Sequence, residues 1–161
     1  MKKNVTLLTQ AGMIAALYVV LTLFANALGL ANYAIQVRFS EALTILPYFT
    51  PAAIPGLFVG CLLSNLLTGC MPLDVIFGSL ATLLGAVGTW LLRKHIKWLA
   101  PVPPIVANIL IVPFVLAYVY HFEGSIPYFM VTVGAGEIIS CGILGMILLI
   151  SLEKYRHILF K

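Results

Sequence analysis

The stretch QVRFSEALTILPYF, residues 36–49, places two opposite charges in an otherwise apolar run. Arg38 and Glu41 stand three residues apart, in a chain that is 62% hydrophobic and only 9% charged. At that spacing the two side chains share one face of a helix. The pattern has two interpretations: an ion pair at a membrane surface, or an arginine that orients a carboxylate at the mouth of a polar cavity between helices.

The composition around this stretch indicates an integral membrane protein. Charged residues make up roughly a quarter of a soluble domain, and the mean hydropathy of this chain is +1.11. A soluble fold would have too little polar surface to cover that much apolar side chain. The N-terminal MKKN and the apolar run after it resemble a secretory signal. That run is longer than the roughly 7–15 residues of a signal core, so we predict a retained first span.

Apolar runs separated by proline, glycine and polar clusters predict an all-α bundle of six transmembrane helices, forming one membrane domain over residues 1–161. The predicted spans are 5–25, 38–50, 53–68, 74–92, 104–120 and 127–151. Six spans place both termini on one side of the membrane, with every Lys and Arg except Arg38. The positive-inside rule then predicts cytoplasmic termini. The net charge of +4 therefore reports membrane topology and does not indicate a nucleic-acid partner.

The sequence lacks the motifs that would indicate an enzyme or an ATPase. No GxxxxGK[ST], HExxH or GxSxG pattern occurs. Cys61, Cys70 and Cys141 are odd in number and have no CxxC spacing, so we interpret them as small hydrophobic residues. We predict no catalytic residues, no metal site and no cofactor in this chain.

Two glutamates lie within predicted membrane spans, where a charge is energetically unfavourable. Glu137 lies about ten residues into the sixth predicted span, where burying a charge costs roughly 2.5–3.5 kcal/mol. Such a residue normally faces a bundle interior or a cavity, either as a ligand contact or simply paired or protonated there. Glu41 lies about one turn below the outer surface. Asp74 begins the fourth span after Pro72, where an acid interacts favourably with the helix dipole. We favour a capping role for Asp74 over a role in ligand contact.

These acids and nearby amides predict a substrate-binding cavity open to the outside. Its candidate residues are Glu41, Glu137, Asn65, Asn108, Tyr33 and Arg38. A carboxylate beside an amide can recognise a guanine-like edge, because the carboxylate accepts from N–H groups while the amide donates to a carbonyl. In the first span, Ala11 and Ala15 lie at positions i and i+4. A stripe of small residues allows close helix approach, either within the chain or against a partner protein.

Three segments carry a resemblance to a known family: AGMIAALYVVLT, VRFSEALTILPYFTPAAIPGLFVGCLLSNLLTG and DVIFGSLATLLGA, which begin at residues 11, 37 and 74. They resemble the QueT family, the substrate-binding S components of energy-coupling-factor (ECF) transporters for queuosine precursors. The resemblance implies a six-helix bundle in the bacterial cytoplasmic membrane that captures a 7-deazaguanine from outside: preQ1, preQ0 or queuine. It also implies a transmembrane coupling protein and two ATPase subunits as partners, which would hydrolyse ATP in trans.

The resemblance extends to residue roles. The family's AxxxA docking motif falls on Ala11 and Ala15, and its lid elements correspond to residues 26–37, 69–73 and 121–126. We expect Glu137 to read the guanine-like edge and Glu41 to meet the amine or a second polar edge, although the two could exchange roles. Asn65 and Asn108 would assist, and Tyr33 would close the cavity from its loop.

An alternative function is a stand-alone, proton-coupled carrier of a small cationic or purine-like solute, with Glu41 or Glu137 as the coupling group. Secondary carriers often contain internal repeats. The two halves of this chain show no convincing repeat. Co-purification with an ATPase would separate the two hypotheses.

Overall fold

The computed structural model describes residues 2–30 and 36–159, with side chains over 4–30 and 36–158. Every regular element in these ranges is helical. The α-helices are α1 (Lys2–Ala27), α2 (Ala53–Leu67), α3 (Pro72–Leu92), α4 (Val102–Tyr118), α5 (Ile126–Glu137), α6 (Gly145–Glu153) and α7 (Arg156–Leu159). The others are 3-10 helices at Phe39–Tyr48 and Lys97–Leu99 and a π-helical segment at Ile138–Leu144, which joins α5 to α6.

Four helical stretches in the described residues are long and apolar enough to cross a membrane. They are Asn4–Ala27, Pro72–Leu92, Lys97–Tyr118 and Ile126–Glu153, and Ala53–Leu67 is a shorter apolar helix. Large apolar side chains project outward from these helices, as on Leu8, Leu91 and Val131. Exposed apolar surface on this scale suits a hydrocarbon environment and not water. The prediction of a helical membrane protein is confirmed at this level.

The second predicted span, residues 38–50, differs from an ordinary transmembrane helix. Phe39–Tyr48 forms a 3-10 helix of ten residues, seven of them buried, with Pro47 inside it. A 3-10 helix rises about 2.0 Å per residue and an α-helix about 1.5 Å. Ten residues therefore reach about 20 Å into the bundle, where an α-helix would reach about 15 Å. Hydropathy did not reveal this geometry, because the run is apolar in either conformation.

The small-residue stripe of α1 packs against α2. A Cβ added at Gly56 would lie 2.7 Å from the carbonyl oxygen of Ala11, and one at Gly60 would lie 3.1 Å from the Cα of Ala15. Because both numbers increase together along the two helices, α1 and α2 run parallel. Ala15 is buried in this contact, whereas Ala11 is half-buried. Of the two interpretations of the stripe, packing within the chain is therefore present in the structure.

The turn after Tyr48 and both described chain ends lie at one end of the bundle. The Thr50 hydroxyl donates to Gln10 Oε1 at 2.9 Å, which places the first half of α1 beside this turn. The Arg156 guanidinium lies 6.0 Å from the ring centre of Tyr48. We call this the basic end, because Lys97 also lies here, in a salt bridge to the last residue of α6.

Helices α3 and α4 form an antiparallel pair with almost no space between their backbones. A Cβ at Gly85 would lie 2.6 Å from Pro104 Cα. The connection is fixed where the Thr89 hydroxyl donates to the Ala100 carbonyl at 2.8 Å. Since the contact at Gly85 is with backbone, it cannot be relieved by moving a side chain. The glycine is therefore required for the approach of the two helices.

We expect Gly85→Ala to destabilise the fold by about 1–3 kcal/mol, because the added methyl group overpacks a contact with the backbone of α4. Gly12→Ala is the matched control, since a Cβ there meets nothing within 4 Å. That change should be neutral or stabilise by up to about 1 kcal/mol through helix propensity. Thermal unfolding of the purified protein in detergent measures both. Equal midpoints for the two variants would contradict the packing described here.

Candidate functional site

A polar cavity opens at the end of the bundle opposite the basic end. Its deep part, of about 40 Å³, lies between the 3-10 helix, α3, α4 and α5. An outer part of about 270 Å³ adjoins it, and Gln36, Arg38 and Asp74 line both parts. Together the two parts reach the roughly 300 Å³ at which small-molecule sites begin. The cavity brings together four of the predicted residues: Arg38, Glu41, Asn108 and Glu137.

Glu41 lies in the first turn of the 3-10 helix and is only 2% exposed. The Tyr18 hydroxyl of α1 donates to its Oε1. Its Oε2 is buried and has no hydrogen-bond partner. A buried acceptor without a partner costs about 1–3 kcal/mol, more when it is charged. The arrangement therefore leaves one carboxylate oxygen for a donor that enters the cavity.

Glu137 ends α5, immediately before the π-helical segment. The Asn108 side chain of α4 lines the same cavity, and Oε2 of Glu137 is buried without a partner. The neighbouring Gly136 lets the chain at Gln36 cross α5 in backbone contact, since a Cβ there would overlap the Gln36 carbonyl oxygen. π-helical turns occur frequently at functional sites. Here the turn begins directly after the cavity carboxylate.

Arg38 precedes the 3-10 helix, and its side chain lines both parts of the cavity. Its backbone N–H donates to the Ser140 hydroxyl at 3.1 Å, which ties this segment to the π-helical turn. Within the described ranges, Arg38 forms no salt bridge to an acid. The salt bridge found in those ranges joins Lys97 and Glu153, at the basic end of the bundle. The alternative of a close Arg38–Glu41 ion pair is therefore not seen. Arg38 instead supplies positive charge to the cavity wall as a whole.

Asp74 sits in the first turn of α3, where the helix dipole favours an acid. It is also 93% buried in the cavity wall, with 7% of its surface exposed. The Tyr120 hydroxyl donates to its Oδ2 at 2.8 Å and accepts from the Met71 backbone N–H at 3.2 Å. Burial and the hydrogen bond to Asp74 raise the pKa of Tyr120. The capping interpretation thus covers only part of the role of Asp74.

One predicted residue that the structure describes, Asn65, is not part of this wall. Asn65 is 1% exposed and donates to Cys61 Sγ at 3.6 Å, between α2 and α3. A Cβ at Gly78 would lie 3.1 Å from Asn65 Nδ2, so Asn65 stands behind the wall at Gly78. Tyr33 lies outside the described residues.

Several cavity residues were not predicted from the sequence. Gln36 and Thr82 line the cavity, Tyr18 holds Glu41, and Tyr120 holds Asp74. The sequence did contain a signal for Tyr18: it is a hydroxyl-bearing residue within an apolar span, on the same helix face as Ala11 and Ala15. Tyr120 gave no comparable signal, because an aromatic residue near the end of a span is common in membrane proteins.

The sequence is similar to those of known transporters. The family model described as QueT transporter matches residues 8–154. The chain is 37% identical over 84 residues to the queuosine precursor transporter QueT of Lactococcus lactis subsp. cremoris (strain MG1363). That match covers 52% of this chain and 49% of the relative, so it spans about half the length of each protein. No solved structure matches the chain. Because the family model covers nearly the whole chain, the chain belongs to the QueT transporter family, a family of transporters and not of enzymes.

Proposed function

We propose that this chain is the substrate-binding S subunit of an ECF-type importer for a 7-deazaguanine queuosine precursor: preQ1, preQ0 or queuine. The observation that carries the proposal is that Glu41 and Glu137 line one cavity and that each has a buried carboxylate oxygen without a hydrogen-bond partner. The name of the Lactococcus relative, a queuosine precursor transporter, supports the substrate class.

The donors of a 7-deazaguanine complement these acceptors. Its ring N1–H and exocyclic amine lie side by side, and a carboxylate can accept from both. Glu137 and Asn108 would recognise this edge, because the Asn108 amide has an N–H to donate to the ring carbonyl. Glu41, which the Tyr18 hydroxyl holds in place, would meet the amine or a second polar edge, and Arg38 would add positive charge to the cavity wall. Tyr33 would close the cavity from its loop.

The proposed topology has six membrane crossings, cytoplasmic termini and a cavity open to the outside. The described basic side chains support it, because those near the ends of α3 and α6 lie at the basic end: Arg93, Lys94, Lys97, Lys154 and Arg156. Arg38 lies at the cavity end. The positive-inside rule assigns the basic end to the cytoplasm. The 3-10 helix and α2 would then supply the second and third crossings.

Energy would come from partners: a transmembrane coupling protein and two ATPase subunits that hydrolyse ATP. After the first loop closes on the substrate, movement of the coupling protein would tilt the bundle and expose the cavity inward. Of the two predicted docking residues, Ala15 is buried against α2, so the docking surface would centre on Ala11. Ala11 is half-exposed in a surface groove with Leu8 and Pro55, which supports contact with a partner there.

Binding to the purified chain tests the substrate class. We expect one 7-deazaguanine to bind, with guanine weaker. We expect Glu137→Gln and Glu41→Gln to weaken that binding by about tenfold or more, because each replaces one acceptor oxygen by a donor and removes a charge-assisted hydrogen bond. Glu123→Gln, a change of the same charge at an exposed position, should have no effect. Isothermal titration calorimetry with preQ1, preQ0, queuine and guanine provides the measurement.

The proposal fails if the folded protein binds none of the four compounds. It also fails at the level of the site if both glutamine variants bind as tightly as the parent chain. A thermal unfolding curve for each variant separates loss of the site from loss of the fold.

Docking is tested by Ala11→Trp. The indole should obstruct the groove, so that less coupling protein and ATPase co-purify and uptake falls several-fold, while binding to the isolated chain is unchanged. Val131→Trp is the control, because Val131 is 71% exposed on α5, a helix without the small-residue stripe. Uptake that an uncoupler abolishes while ATP persists would support the stand-alone carrier in place of the ECF subunit.

A further inference from the structure

The cavity wall carries more acidic than basic side chains. Glu41, Glu137 and Asp74 line its deep part together, and Arg38 is the one Lys or Arg among the described lining residues. Three carboxylates therefore share one guanidinium. A ligand that recognises the wall by hydrogen bonds alone leaves this imbalance uncorrected. A ligand with a positive charge reduces it, and charges in a poorly solvated site are stable mainly when paired.

Asp74 is the carboxylate at the junction of the two parts of the cavity, since it lines both. Its Oδ2 is held by the Tyr120 hydroxyl at 2.8 Å, and no described group donates to Oδ1. Oδ1 lies toward Gly78, where a Cβ would be 3.5 Å away and where the wall has no side chain. One oxygen thus fixes the carboxylate in place, and the other faces the deep cavity.

The other two carboxylates are placed for a different task. Glu41 and Glu137 line the deep part and not the outer part, and each holds a buried oxygen without a partner. An ammonium group is strongly hydrated, so its desolvation costs least near the mouth of a site. The N–H donors of a flat ring complement the acceptors of the deep part, and a charged substituent complements Asp74 at the junction.

We propose that Asp74, oriented by Tyr120, is a cation subsite that selects an amine-bearing ligand over a neutral analogue of the same ring. The ammonium binds Oδ1 at the junction while Glu137, Asn108 and Glu41 hold the ring below it. The outer part, of about 270 Å³, leaves room for a larger substituent on the amine nitrogen. This inference rests on the proposed function and specifies which members of the substrate class bind.

The test compares preQ1, which carries an aminomethyl cation, with preQ0, which carries a neutral nitrile on the same ring. We expect the parent chain to bind preQ1 at least about tenfold more tightly, because a charge-assisted hydrogen bond is lost with the nitrile. Asp74→Asn should weaken preQ1 by about tenfold and leave preQ0 within about threefold. Asparagine keeps the acceptor for Tyr120, so the wall is preserved.

Two further variants define the origin of the effect. Tyr120→Phe frees Oδ2 and should reduce the preQ1 preference by less than Asp74→Asn does, because the charge remains. Glu123→Gln removes an exposed acid at the same end of the bundle and should leave the preference unchanged. Retained preQ0 binding shows in each case that the variant is folded.

Different binding results would contradict the cation subsite and the proposed substrate class. Equal weakening of preQ1 and preQ0 by Asp74→Asn, or an unchanged preference for preQ1, overturns the cation subsite alone. A parent chain that binds both compounds equally also overturns it. If the parent chain binds neither compound and also fails to bind queuine and guanine, the subsite and the proposed substrate class are both wrong.

Discussion

The burial of carboxylates inside a bundle of apolar helices is the constraint on which the rest of this structure depends. A charge near the centre of a membrane helix costs roughly 2.5–3.5 kcal/mol, so it persists only with polar neighbours or a ligand. Glu41 obtains one neighbour from α1, through Tyr18. Thr22, one turn further along α1, hydrogen-bonds the Ser40 hydroxyl at 2.8 Å. The polar residues of the first span thus line the path of the 3-10 helix.

The two irregular helices follow from the same constraint. The 3-10 helix brings Glu41 into the bundle, and the π-helical segment begins where Glu137 leaves α5. They are joined by the Arg38 N–H on Ser140 and by a contact of 3.0 Å between the Thr44 hydroxyl and Cys141 Sγ. Non-α backbone is tolerated at membrane depth where it is buried in protein or lines a cavity. Both conditions hold here, because the segments pack on each other and border the cavity.

Glycines determine how closely the surrounding helices approach. Gly56 and Gly60 admit α1, Gly85 admits α4, and Gly136 admits the chain at Gln36. In lipid, helix association relies on such packing because apolar surface gains little by leaving one hydrocarbon phase for another. The cavity is therefore bounded by rigid contacts between backbones. This rigidity suits a binding site whose polar groups must hold fixed positions before the ligand arrives.

The sequence by itself determined the membrane class, the positions of the long helices and the two glutamates too costly to face lipid. Those features depend on hydropathy and on the free-energy cost of burying a charge, which are local properties of the chain. It also carried the family resemblance, which the family model confirms. The chain's own pattern predicted a span at residues 38–50, but whether that run would be an α-helix or a 3-10 helix was decided by the packing around it.

Only the tertiary structure decided which polar side chains meet. Asp74 and Tyr120 are 46 residues apart and form one hydrogen-bonded unit. Asn65, which the sequence placed in the cavity, lies behind the wall at Gly78. The physical reason is that a polar side chain's partner depends on the rotation and depth of neighbouring helices. Those are fixed by backbone contacts at glycines far away in the chain, which local patterns of hydropathy do not encode.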